Sequence, residues 1–117
     1  MPVTTKEISA YAVSVISDAD PNQFAATIRL FDAARRTVAF LRFFSPGSAL
    51  APNEFRADLG YPLVSYPSTS LASMIDVLRN EKPLYFNWYD YLPVRCFGAV
   101  DTSREPVGEG EGEGEGT

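Results

Sequence analysis

Two arginines set among phenylalanines are the residues in this chain best suited to binding chemistry. Arg29, Phe31, Phe40, Arg42 and Phe44 fall on alternate positions of two neighbouring extended segments. Flat rings stack on bases, and guanidinium groups hold phosphates or stack in turn. The second candidate set is Tyr85 and Tyr89, with Asn87 between them. Tyrosine adds a hydroxyl to a large apolar ring, which suits an interface or a ligand pocket.

Catalytic chemistry is poorly supplied. The chain has no histidine, so the commonest general base and metal ligand is missing. Cys96 is the single cysteine. It lies in an apolar setting beside Val94 and Phe97, where a thiol is expected to be inert. Glu54 and Asp58 are a carboxylate pair without a partnering base. Asp18, Asp20 and Asn22 have the opening spacing of a calcium loop. Gln23 stands where glycine is needed, however, and Arg29 where the closing glutamate belongs. The only glycine-rich stretch is acidic and would repel phosphate. No enzyme activity, metal or cofactor is expected.

Stepping outward, hydrophobic periodicity predicts the elements that must position these groups. Ile8 to Ile16 reads as a strand with Tyr11, Val13 and Val15 on its apolar face. A turn cluster follows at residues 17–23. Phe24 to Phe31 and Thr37 to Phe44 form an antiparallel hairpin. If Asp32 faces Thr37, then Leu30 faces Ala39, Ile28 faces Leu41 and Ala26 faces Phe43. These six, with Phe24, form one apolar face. The other face pairs Phe31 with Val38, Arg29 with Phe40 and Thr27 with Arg42. Residues 45–60 read as a long loop of the kind that often serves as a binding loop or lid. Tyr61 to Tyr66 is a short edge strand bracketed by Pro62 and Pro67. A helix over Thr69 to Glu81, capped by Ser68 or Ser70, carries the stripe Leu71, Met74, Ile75 and Leu78. Leu84 to Tyr89 and Val94 to Val100 close the fold.

The predicted class is α+β, in the order β-β-β-(β)-α-β-β. One amphipathic helix packs on one face of an antiparallel sheet. Residues 1–104 form a single domain. Residues 105–117 form a disordered acidic Gly-Glu tail that cannot bury apolar surface. The 117-residue chain has a formal charge of −5, and the whole of it sits in Glu105, Glu109, Glu111, Glu113 and Glu115. The preceding residues balance to zero, which counts against a nucleic-acid partner. Hydrophobic residues make up 45% of the chain, enough for a core. No apolar run approaches the roughly 18–20 residues of a membrane span. The polar N-terminus carries no signal region, and with a single cysteine a cytoplasmic location is expected.

In element order, an antiparallel sheet with a following helix resembles the Whirly-type single-stranded-DNA-binding architecture. That resemblance implies nucleic-acid contact through Arg29, Phe31, Phe40, Arg42 and Phe44. The preferred expectation is a non-catalytic binding or interaction domain that forms a homodimer, because apolar residues lie on both faces of the hairpin. A third reading is a small-molecule binder or enzyme with a pocket between the 45–60 loop and the Tyr85/Tyr89 face.

Overall fold

The N-terminal extended segment breaks at Ser9, and that break divides the molecule into two sheets. Val3–Ile8 (β1) and Ala10–Val15 (β2) replace the single predicted strand. Phe24–Phe31 (β3), Thr37–Phe44 (β4), Glu54–Arg56 (β5) and Tyr61–Pro67 (β6) follow. After the helix Leu71–Asn80 (α1) come Leu84–Tyr91 (β7) and Arg95–Thr102 (β8). This computed structural model describes residues 3–17 and 24–102. The 17–23 turn lies largely outside those residues, and the Gly-Glu tail wholly so.

The class is α+β, mostly antiparallel, with one short helix. The single sheet expected from sequence is instead two. One has the order β1-β7-β8, the other β2-β3-β4-β6-β5. A strand that bends and changes sheets makes a corner between two packed layers. The Ser9 amide, at that corner, donates to the Phe31 carbonyl at 2.8 Å.

The core lies between the layers. Ala26, Ile28, Leu30, Ala39, Leu41, Phe43 and Val64 come from the five-stranded sheet, and Leu84, Phe86 and Trp88 from the three-stranded one. Ile28, Leu30, Leu41 and Phe43 are fully buried, each worth about 1.5–3 kcal/mol of transfer free energy. The second sheet therefore does much of the covering that had been assigned to the helix. From α1, Leu78 is buried, while Leu71, Met74, Ile75 and Val77 pack partly buried against the core.

The central hairpin keeps the predicted pairs Leu30–Ala39, Ile28–Leu41, Arg29–Phe40, Thr27–Arg42 and Ala26–Phe43. Its ends differ. Phe31 faces Thr37, and Val38 is an extra residue in the ladder. A five-residue connection alone would swap the faces of one strand. The bulge at Val38 restores them and leaves Val38 buried beside Ala39. A second irregularity at Ala25 turns Phe24 to Phe44, away from the apolar set. Those two rings meet edge-on with centroids 5.8 Å apart.

Three further expectations change. The 45–60 loop contains β5, which makes β6 an interior strand rather than an edge. β6 runs parallel to β4, and that ladder begins at Leu63. Pro62 precedes that parallel ladder and needs no N–H toward β4, while on the other side it faces Phe55 of β5. The helix begins at Leu71 after a 3-10 turn over Ser68–Ser70, with no side-chain cap on its first amides. It ends one residue early because Lys82-Pro83 cannot continue it. Among the described residues, no helix is long and apolar enough to cross a membrane.

Candidate functional site

Arg29 and Arg42 stand on the outer face of the five-stranded sheet, where strand alternation places them. Each makes two hydrogen bonds within the chain through one guanidinium nitrogen, and the buried Arg42 Nε has no hydrogen-bond partner among the described residues. Arg29 donates to Thr37 Oγ1 at 3.2 Å and to the Tyr61 hydroxyl at 3.1 Å. Its guanidinium carbon lies 4.8 Å from the centre of the Phe40 ring. Arg42 donates to Ser65 Oγ at 3.1 Å and to the Pro52 carbonyl at 3.3 Å. Its guanidinium also lies 5.8 Å from the centre of the Phe44 ring. Burial lowers the Arg42 pKa from its ordinary value, opposed by the nearby Glu54 carboxylate. Phe44 is buried and Phe31 half-buried. The structure thus brings Arg29 with Phe40 and Arg42 with Phe44, but as two intrachain arginine–aromatic pairs.

Tyr85 and Tyr89 stand on the outer face of the three-stranded sheet, opposite Leu84, Phe86 and Trp88. Neighbours that sequence reasoning left aside join them there. Across the strands, Val3, Tyr89 and Phe97 form one row, Thr5, Asn87 and Ala99 the next, and Glu7, Tyr85 and Asp101 the last. Tyr89 stacks on Phe97 at 4.7 Å with their planes 13° apart. The other partners of Phe97 are Tyr91, tilted at 6.0 Å, and the Arg95 guanidinium at 4.9 Å. These rings stand against one another rather than lying flat. At the hairpin tip, Leu92 is 64% exposed and Val94 82%. A polar chain crosses the middle row: Thr5 Oγ1 donates to Asn87 Oδ1, and Asn87 Nδ2 donates to Asp101 Oδ2 at 2.6 Å.

This face has a basic end and an acidic end. Arg95 lies opposite Tyr91, while Asp101 and Glu7 flank Tyr85 six residues away along the strands. The signal was present in the sequence as period-two alternation across Arg95, Phe97, Ala99 and Asp101. It carried meaning only once β8 was paired with β7.

A third feature is a cleft of about 190 Å³ between the two sheets. Its lining includes Phe86, Trp88, Val38, Phe55, Pro62 and Lys6. It lies beneath the β5–β6 connection, as a pocket under the 45–60 segment requires. Tyr85 and Tyr89 do not line it, because they point to the opposite side of β7.

Two of the groups weighed for catalysis, Asp58 and Cys96, have partners within the chain. Asp58 takes Arg56 at both oxygens, at 2.9 and 2.7 Å, and this bonding lowers its pKa. The Cys96 thiol donates to the Asn53 carbonyl at 3.2 Å. Burial, with Asp90 and Glu54 nearby, raises its pKa. Among the described residues, no three of His, Cys, Asp and Glu converge to hold a metal. Asp18, Asp20 and Asn22 lie outside the described residues.

Comparison with family models, with curated proteins and with solved structures gives no match to this chain. The functional reading therefore rests on geometry.

Proposed function

We propose that this chain is a non-catalytic interaction domain that self-associates through the outer face of the three-stranded sheet. The observation that carries the reading is that this face is complementary to itself. Its apolar residues are Val3, Tyr89 and Phe97, with Leu92 and Val94 at the hairpin tip, beside the polar row of Thr5 and Asn87. Arg95 lies toward one end, and Asp101 with Glu7 toward the other. A two-fold axis makes both subunits use the same patch. Face-to-face docking with strand directions reversed sets Arg95 of each copy over the acidic end of the other. Opposite charges so placed fix the register, and the row of Val3, Tyr89 and Phe97 supplies the buried area.

The outer face of the five-stranded sheet supports partner binding less well. Its arginines already hydrogen-bond to Thr37, Tyr61, Pro52 and Ser65.

Sedimentation equilibrium on the full chain tests the proposal. The expected result is a dimer at micromolar concentration. Arg95→Glu should weaken it at least about tenfold, because like charges then face each other. Asp101→Arg should act alike, and the two together should restore association. A monomer across the range, or two single variants that leave the mass unchanged, overturns it.

A further inference from the structure

We propose that the cleft between the sheets binds a small single-ring aromatic carboxylate, with Lys6 as the counter-charge. The site goes beyond self-association and lies on the other side of β7. Its size is the first argument. An apolar cavity of about 150 Å³ accepts a benzene ring, and this cleft measures about 190 Å³. Its walls are the second. Phe86 and Trp88 come from one sheet, Phe55, Pro62 and Val38 from the other, so a flat ring meets apolar and aromatic surface on both sides. Pro62 and Val38 are buried while Phe55 is 51% exposed, which makes Phe55 the outer wall at the mouth.

Charge is the third argument. Lys6 pairs with Phe86 across β1 and β7, so both side chains lie on the same inward face. Lys6 lines the cleft and also the neighbouring depression that holds Asp32 and Arg36. Asp32 is already engaged. Its Oδ1 accepts from the Ala34 and Arg36 amides, each at 2.9 Å, and its Oδ2 lies 3.4 Å from the Arg36 guanidinium. Among the described residues, the Lys6 ammonium makes no hydrogen bond or ion pair. An apolar cleft with one uncommitted ammonium at its edge selects an apolar body bearing one anionic group. The polar partner fixes orientation, and the ring supplies the burial.

Trp88 is the only tryptophan in the chain, so its emission reports on the site directly. Phenylacetate is the probe, and phenylacetamide is its neutral counterpart of the same shape. Titration of the full chain with phenylacetate should give a saturable change in Trp88 emission and a rise in Tm. The amide should bind at least about tenfold more weakly, the difference expected for loss of about 1.4 kcal/mol. Lys6→Met should reduce phenylacetate affinity similarly while leaving the amide unaffected, and Lys6→Arg should retain binding. Lys6 is exposed on an edge strand, so these variants should fold. The proposal fails if Trp88 emission does not saturate at millimolar phenylacetate. It fails equally if acid and amide bind alike, or if Lys6→Met has no effect.

Discussion

Gly98 shows how closely the two sheets meet. A methyl group at this position would lie 2.6 Å from Phe86 Cζ and 3.1 Å from Val64 Cγ2. Phe86 belongs to one layer and Val64 to the other, and both are buried. Overpacking a filled core costs about 1–3 kcal/mol. Gly98→Ala should therefore lower stability by an amount in that range, read as a lower urea midpoint with an unchanged slope. Asp32 acts at the same scale but through charge. The backbone amides of Arg36 and Ala34, then the Arg36 side chain, hold its pKa below the ordinary carboxylate value. A group whose pKa is lowered on folding stabilises the fold above its unfolded pKa. That contribution is lost as pH falls through the folded value. Asp32→Asn should lower Tm at neutral pH. The gap from the unaltered protein should close as pH drops below about 4, because the carboxylate is then protonated too. A gap that stays constant down to acid pH would contradict this account. Tyr66 lies at the opposite extreme. Burial, with the Asp101 charge nearby, pushes its pKa up to about 12, so its hydroxyl stays protonated and donates to the Gly98 carbonyl at 3.4 Å.

At the scale of elements, the central hairpin depends on one extra residue. The connection has Arg35 at φ 68°, and the ladder closes on Phe31 and Thr37. If Val38 instead took the regular ladder position opposite Leu30, the strand would present Arg42 and Phe40 to the core and Leu41 to solvent. Deleting Val38 leaves Thr37 and Ala39 adjacent in an unbroken ladder with the same faces, so cooperative thermal unfolding followed by circular dichroism should survive the deletion. Replacing Val38 by alanine should only lower Tm. Loss of cooperativity in the deletion would contradict this reading of the register. The helix contributes through fewer residues than its stripe suggests. Leu78 alone is buried from α1, so Leu78→Ala should cost about 2–5 kcal/mol. Leu71→Ala, at a half-buried site, should cost less, and chemical denaturation separates the two.

For the whole molecule, the two sheets give each candidate site its own side. The self-complementary face looks outward from β7, and the cleft looks inward from the same strand. Alternation along β7 assigns Tyr85 and Tyr89 to one and Phe86 and Trp88 to the other. The two proposals can therefore fail independently. If Arg95→Glu yields a monomer, that monomer should still bind phenylacetate with unchanged affinity by Trp88 emission. Loss of binding in the monomer would mean that the cleft is shaped by the second copy. The electrostatic share of the interface should also be visible in solution. Raising the salt concentration should weaken self-association, because Arg95, Asp101 and Glu7 lie toward the ends of the face, where screening acts.

The sequence by itself determined what depends on near neighbours. Period-two alternation located the hairpin strands and the pairs Ile28–Leu41 and Arg29–Phe40. The spacing of Leu71, Met74, Ile75 and Leu78, followed by Pro83, located the helix. The strand around Cys96 was legible in the same way. Only the tertiary structure decided the rest. Alternation states that a strand has two faces, but not what lies against each. Ile8 to Ile16 carries no proline or glycine to mark the break at Ser9. The change of sheet there follows from pairing with Phe31 and Leu84, which are distant in sequence. The parallel ladder of β4 with β6 is likewise a long-range choice that no local residue announces. The intrachain partners of Arg29 and Arg42, namely Tyr61, Ser65 and Pro52, arrive from strands and loops further along the chain. The face of β8 and the cleft beside Lys6 arise from the packing of two layers, and so are properties of the assembled fold rather than of any segment within it.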